Sequence, residues 1–326
     1  MVSLRNVRRS LDERRNLVEE ALEDLVQERM TKNDAPAMSL ARDILLAGGK
    51  RIRPVLGLLA YEAVGGEDVD SVMDLAIAAE LLHTATLIHD DICDQSKTRR
   101  GIPTLHSTHG ISHGIIAGDY LFVLAFSLGG RCEERIVERM GEASANIAAG
   151  ELLQLKHIGD LGTTPEDYYA IIDGKTAGPF ASACACAAMF ANAPEEVVDL
   201  LDEFGWEVGR AFQLVDDLLD LTGDSSMGKP RGTDVQDGKM TLPIIHALTM
   251  LHGVEREQLA DVLQNFSEDR WGELTESLEI AGSFDYARQL IQNHIDRAQK
   301  ALERLPDSEA KSLMIEIAKQ SRSRRT

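Results

Sequence analysis

The sequence predicts an all-α fold, a single large helical bundle with a central active-site cavity, spanning 1–326 with tails at 1–7 and 322–326. Three observations predict it. Apolar residues recur at helical spacing along most of the chain, and strand-like alternation is missing. Residues 72–89 are apolar on nearly every face, through Leu75, Ile77, Leu81, Leu82, Leu87 and Ile88, which marks a helix buried all round. That helix ends in Asp90, Asp91 and Asp94, and the same spacing returns at Asp216, Asp217 and Asp220 among Phe212, Leu214, Val215, Leu218 and Leu219. Acids three and four residues apart are neighbours on a helix. Two such rims on apolar helices imply a cavity lined by facing side chains.

The elements follow in order. Residues 8–30 form an amphipathic helix with Leu11, Leu17, Ala21, Leu22 and Leu25. The segment 37–47 runs into Gly48-Gly49, a helix stop. Arg51 to Val64 resumes with Pro54 near its first turn, and Gly65-Gly66 ends it before the buried helix. After Pro103 comes a loop with His106, His109 and His113; no Cys or His cluster accompanies it, which argues against zinc. A second apolar helix carrying Asp119 covers 110–130, followed by helices over 133–157, 166–190 and 196–221. The stretch 222–238 is polar and rich in Gly, Asp and Ser, and a loop of that length inside a compact domain is usually functional. Residues 244–321 read as about four shorter amphipathic helices.

Composition removes several function classes. The net charge is −20, which argues against nucleic acid and against an anionic membrane surface as partners. The apolar fraction of 44% is ample for a core. Cys93, Cys132, Cys184 and Cys186 form no CxxC pair and read as reduced core thiols of a cytoplasmic protein. The N-terminal stretch has no apolar run of the signal-peptide kind, and the expectation is no transmembrane segment.

The acidic rims carry the chemistry. Three carboxylates at the end of a buried helix repel one another and cost desolvation energy, so they call for cations. Oxygen-only ligands suit Mg²⁺, which takes one or two carboxylates plus substrate phosphates. Arg99 and Arg100 follow the first rim, and guanidinium forks match phosphate oxygens. Other readings stay open at this point: a solvated acidic helix end, a solvated basic cluster at Lys50, Arg51 and Arg53, a core histidine at His83 and a core amide at Gln213.

Asp90-Asp91-Ile92-Cys93-Asp94 followed by RRGIPTLH, then FQLVDDLLD, Gly228-Lys229 and GKMTLP, resembles the trans-isoprenyl (polyprenyl) diphosphate synthases. The resemblance runs from GGKRIRP at 48–54 to at least Pro243. It implies the isoprenoid synthase type of helical bundle, a homodimer, and head-to-tail condensation of isopentenyl diphosphate with an allylic prenyl diphosphate. It implies Mg²⁺, with Mn²⁺ as the alternative, three ions being held by Asp90, Asp91, Asp94, Asp216, Asp217 and Asp220. Lys50, Arg53, His83 and Arg100 would bind isopentenyl diphosphate. Arg99, Lys175, Lys229 and Lys239 would bind the allylic diphosphate. Thr176 and Gln213 would stand near the reaction centre, with Asp119 and Glu151 in support. The rivals are a class I terpene cyclase and a non-catalytic subunit of a heteromeric synthase; intact acids at Asp216, Asp217 and Asp220 and intact Lys50 and Arg53 speak against both.

Product length follows from the helix before Asp90. In the resembling family the residues four and five positions earlier form a floor; here they are Thr86 and Ala85, both small, with Leu82 and Leu81 in the next layer and Phe122 or Phe126 as candidates for the opposing wall. The expectation is a product of C20 or longer.

Overall fold

The computed structural model describes residues 4–99, 101–223 and 231–322, with side chains for 8–99, 101–223 and 231–320. Arg100 and Lys229, and the tail residues 1–3 and 323–326, lie outside the described residues. The chain is helical almost throughout. In order it forms α1 (Leu4–Met30), α2 (Ala35–Leu45), α3 (Ile52–Ala63), α4 (Val69–Cys93), a two-residue antiparallel ladder of β1 (Thr98–Arg99) and β2 (Ile102–Pro103), α5 (Leu105–His109), α6 (Ile111–Gly129), α7 (Glu134–Lys156) and α8 (Pro165–Ile172). A π-helical turn (Asp173–Ala177) leads into α9 (Gly178–Phe190) and α10 (Glu195–Thr222). Then come α11 (Thr233–Gln236), α12 (Leu242–Met250), α13 (Gly253–Gln264), α14 (Trp271–Ile280), α15 (Ser283–Ala301) and α16 (Glu309–Arg322).

Local chemistry explains the boundaries. α8 opens with Pro165 in its first turn and a reciprocal capping box between Thr164 and Asp167. Gly101, at φ +78°, makes the tight turn of the small ladder. Among the described residues this ladder is the departure from the expected absence of strands. The expected helix over 166–190 is interrupted by the π turn at 173–177, and the polar stretch after Thr222 contains the short α11. Beyond residue 243 five helices stand where about four were expected.

The chain divides into two compact units. The first comprises Met1–Ser144, Ser182–Asp202 and Arg304–Glu316, and its core holds Leu22, Met38, Leu45, Leu56, Leu59, Leu81, Ile88 and Leu121. The second comprises Ala145–Ala181, Glu203–Glu303 and Ile317–Thr326. One of its clusters gathers Ile244, Leu259, Trp271, Leu274 and Leu278; another joins Tyr168, Leu214, Leu242, Ile291 and Ile295.

α4 and α6 are each long and apolar enough to cross a membrane by length and composition, with 56% and 39% of their most apolar windows buried in the protein. The sequence expectation of no transmembrane segment counts only uncharged runs, and charge interrupts both helices, at Asp74 and Glu80 in α4 and at Asp119 in α6. One sequence expectation needs correction: only Cys184 and Cys186 are core thiols, whereas Cys132 is half-buried and Cys93 is exposed beside the first acidic rim, and none of the four is in a disulfide.

In the second unit, α10 packs backbone to backbone on the segment before it. A Cβ added at Gly205 would stand 2.4 Å from Ala181 Cα, and one at Gly209 would stand 2.5 Å from Ala177 Cα. Gln213 lies one further turn along the same side of α10 and meets Thr176. Gly205→Ala is therefore expected to destabilise the protein by about 1–3 kcal/mol through overpacking, read as a lowered urea midpoint with the helical signal retained.

Candidate active site

The first acidic rim closes α4. The helix has no basic residue in its last turn, so Asp90, Asp91 and Asp94 crowd the end where the helix dipole is already negative. The three acids are not equivalent. Asp91 is 2% exposed and turns inward, where Arg99 Nε donates to its Oδ1 at 2.7 Å. Burial raises the Asp91 carboxyl above the usual range in spite of Arg99. Its other oxygen, Oδ2, is buried without a hydrogen bond. Asp94 is exposed and Asp90 half-buried. Arg99 is carried on β1, which the Thr104 hydroxyl ties back by donating to the Ser96 carbonyl at 2.7 Å.

The second rim lies near the C-terminal end of α10, which likewise has no basic residue in its last turn. Asp217 is 3% exposed and accepts two bonds: the Tyr168 hydroxyl donates at 2.6 Å and Gln213 Nε2 at 2.8 Å. Thr176 donates in turn to Gln213 Oε1 at 2.9 Å. Burial, followed by the charge of Asp234, pushes Asp217 up to about 8. The same two causes push Asp220 up to about 6. The Asp220 carboxylate caps α11, accepting from the Thr233 and Asp234 amides at 3.1 Å each. Asp216 is exposed.

Sequence reasoning missed Asp234, Asp237 and Tyr168. Lys239 Nζ stands 3.1 Å from Asp237 and 3.7 Å from Asp234, so this expected phosphate ligand is balanced by acids of its own loop. Lys175, on the π turn, is paired with Glu151. The close approach behind this pair needs glycine, since a Cβ at Gly174 would come within 2.5 Å of the Asn146 carbonyl. The turn is anchored at Asp173, which accepts a two-pronged contact from Arg210 at 2.7 and 2.8 Å. Arg210 also donates to Glu207, which His294 and Arg297 hold from α15. A π turn of this kind marks functional positions more often than structural ones.

In the first unit Lys50 is exposed, Arg53 and His83 are half-buried, and Arg51 is fully buried. Leu81 and Ala85 are buried on α4, whereas Leu82 and Thr86 are half-buried on the side of Asp90. Asp119 is exposed with its carboxylate 3.6 Å from His89, and His89 stacks on Phe122.

Among the described residues no three His, Cys, Asp or Glu side chains converge as a ready-made metal cage. The donor sets still fit a hard divalent cation that brings phosphate and water ligands with it. The buried, unbonded Oδ2 of Asp91 and the burial and Asp234 charge that raise Asp217 and Asp220 are the marks of that fit.

Comparison with known proteins agrees with this chemistry. The family model described as Polyprenyl synthetase matches residues 36–279. An all-trans-nonaprenyl-diphosphate synthase (geranyl-diphosphate specific) from Rhodobacter capsulatus is 34% identical, covering 92% of each chain. An octaprenyl diphosphate synthase from Escherichia coli strain K12 is 37% identical, covering 84% of this chain and 86% of its own. The crystal structure of a geranylgeranyl pyrophosphate synthetase from Pyrococcus horikoshii superposes with a TM-score of 0.91 at 33% identity, covering 98% of this chain and 99% of that one. With matched motifs, matched fold and matched length, the chain belongs to the polyprenyl synthetase family.

Proposed function

We propose that this protein is a trans-prenyltransferase that joins isopentenyl diphosphate head-to-tail to an allylic prenyl diphosphate and makes a product of C20 or longer. The observation that carries the reading is the pair of acidic clusters at the C-terminal ends of α4 and α10, each short of positive charge. Relatives named for geranylgeranyl, octaprenyl and nonaprenyl products support the length.

Asp90, Asp91, Asp94, Asp216, Asp217 and Asp220 would hold Mg²⁺. Bound Mg²⁺ supplies charge neutralisation to a departing diphosphate. Arg99, Lys175 and Lys239 bind the allylic diphosphate and favour charge build-up on its oxygens. The allylic C1–O bond breaks and the electron pair leaves with diphosphate. Thr176 donates its hydroxyl proton to Gln213, which leaves its oxygen lone pairs available to steady the allylic cation. Lys50, Arg53 and His83 hold the second diphosphate and aim its double bond, whose terminal carbon forms the new C–C bond. The tertiary cation that this creates on the next carbon is quenched by loss of a proton from the methylene beyond it to a diphosphate oxygen, which sets the new double bond. Apolar walls exclude water from the cation. The same reading takes the protein as cytoplasmic and homodimeric, supported by the buried free thiols of Cys184 and Cys186 and by the exposed row Ile111, Ile115, Ile116 and Val123 on α6.

The direct test is product formation from labelled isopentenyl diphosphate with C10, C15 and C20 primers. Asp90→Ala and Asp216→Ala are each expected to lower turnover by two or more orders of magnitude, on the order of what a lost electrostatic element costs, and excess chelator to abolish it. Consumption of the primer alone to a hydrocarbon would identify a cyclase instead, and no consumption of either substrate would identify a silent subunit.

Product length should respond at Thr86. Thr86→Phe places a ring on the side of Asp90 and is expected to shift the products shorter by at least one isoprene unit, read by chromatography of the dephosphorylated alcohols. An unchanged distribution would remove Thr86 from the tunnel.

The raised carboxyls give a pH signature. In chelator the folded state holds protons on Asp217 and Asp220 that the unfolded chain releases near 3.8, so their contribution to stability is full below that value. It is lost as pH rises through about 6 for Asp220 and about 8 for Asp217. The melting temperature of the metal-free protein should fall over this window, and Asp217→Asn should flatten its upper part.

A further inference from the structure

The turn between α2 and α3 carries three cations, Lys50, Arg51 and Arg53, and they are not used alike. Gly48, Gly49 and Arg51 have φ of +76°, +150° and +47°. Glycine takes such a backbone freely; arginine does so only against steric resistance. A residue held that way persists where its surroundings over-determine it.

At Arg51 the surroundings are two carboxylates from different helices. Nε and Nη2 donate to the two oxygens of Glu19 on α1 at 2.9 and 3.1 Å. Nη1 donates to Glu80 on α4 at 2.5 Å, and Nη2 also reaches the Leu45 carbonyl at 2.6 Å. The Arg51 side chain has no exposed surface, and Glu80 is 2% exposed. A buried ion cluster contributes little net stability, because desolvation offsets the Coulomb attraction. Arg51 is therefore costly twice, in backbone strain and in desolvation. What the cluster does accomplish is orientation. With Arg51 pinned inward, Lys50 is left exposed and Arg53 half-buried in the first turn of α3. Glu80 also sits one turn from His83 on α4, so one helical turn carries both the pin and another candidate diphosphate ligand.

We propose that Glu19 and Glu80 are positioning residues of the isopentenyl diphosphate subsite, holding Arg51 in its left-handed conformation so that Lys50 and Arg53 are presented together to one diphosphate. The inference rests on the prenyltransferase reading for the identity of the ligand. Neither carboxylate touches substrate; both act through the Arg51 backbone.

The test varies each substrate in turn at saturating concentration of the other, for wild type, Glu19→Gln, Glu80→Gln and Glu19→Asp. Glu19→Gln and Glu80→Gln are expected to raise KM for isopentenyl diphosphate about tenfold, with kcat and the allylic KM within about threefold of wild type. Glu19→Asp, which keeps the charge, should recover part of the loss. Folded variants whose isopentenyl KM is unchanged, or whose two KM values rise together, overturn the inference. Should Glu80→Gln fail to fold, Glu19→Gln decides alone, since Glu19 is 27% exposed and its loss is milder. A wild type that consumes no isopentenyl diphosphate overturns the functional reading and this inference with it, whereas an active wild type with indifferent variants overturns the inference only.

Discussion

Negative charge placed at the negative ends of buried helices is the constraint on which the rest of this protein depends. α4 and α10 each end in three aspartates with no basic residue in the last turn. Helix dipole, mutual repulsion and desolvation all act against ionised carboxylates in such a place. A fold designed for stability alone would put lysines there. The arrangement fits the cations and polyanionic substrate of the proposed reaction, and the chain belongs to the polyprenyl synthetase family.

The protein relieves part of this stress internally, and does so differently at each acid. Asp91 is matched by Arg99, Asp217 by the hydroxyl of Tyr168 and the amide of Gln213, and Asp220 by the backbone amides that open α11. In each case the partner supports one acid, while Asp94 and Asp216 stay exposed. The cations expected to receive phosphate are managed the same way: Lys175 leans on Glu151, and Lys239 on Asp234 and Asp237. Paired acids and bases keep both sets of charges in place.

Holding these groups requires irregular backbone. The π turn at 173–177 carries Lys175 and Thr176 and is anchored by the Asp173–Arg210 pair, while Gly150, Gly174, Gly205 and Gly209 allow the close approaches around it. On the other unit, the left-handed Arg51 plays the equivalent part for Lys50 and Arg53. Rare backbone thus occurs beside candidate ligands at Arg51, at Gln95 next to Asp94 and in the π turn, and also away from them at Asn192.

By itself the sequence determined the helical class, the order of the long helices and the identity of the acidic rims. These are local properties: period, breakers and the spacing of acids are written in consecutive residues. The motifs also named most of the candidate ligands. What only the tertiary structure decided is which of two adjacent charges faces inward. Asp91 is buried while Asp94 is exposed, and Arg51 is buried between the more accessible Lys50 and Arg53. Asp234, Tyr168 and Glu80 were not singled out by sequence, because their roles depend on partners 14 to 49 residues away. Spacing along a helix fixes a side chain's angle to its neighbours, but the direction of the core, and so the sign of every burial, is set by the elements that pack on it.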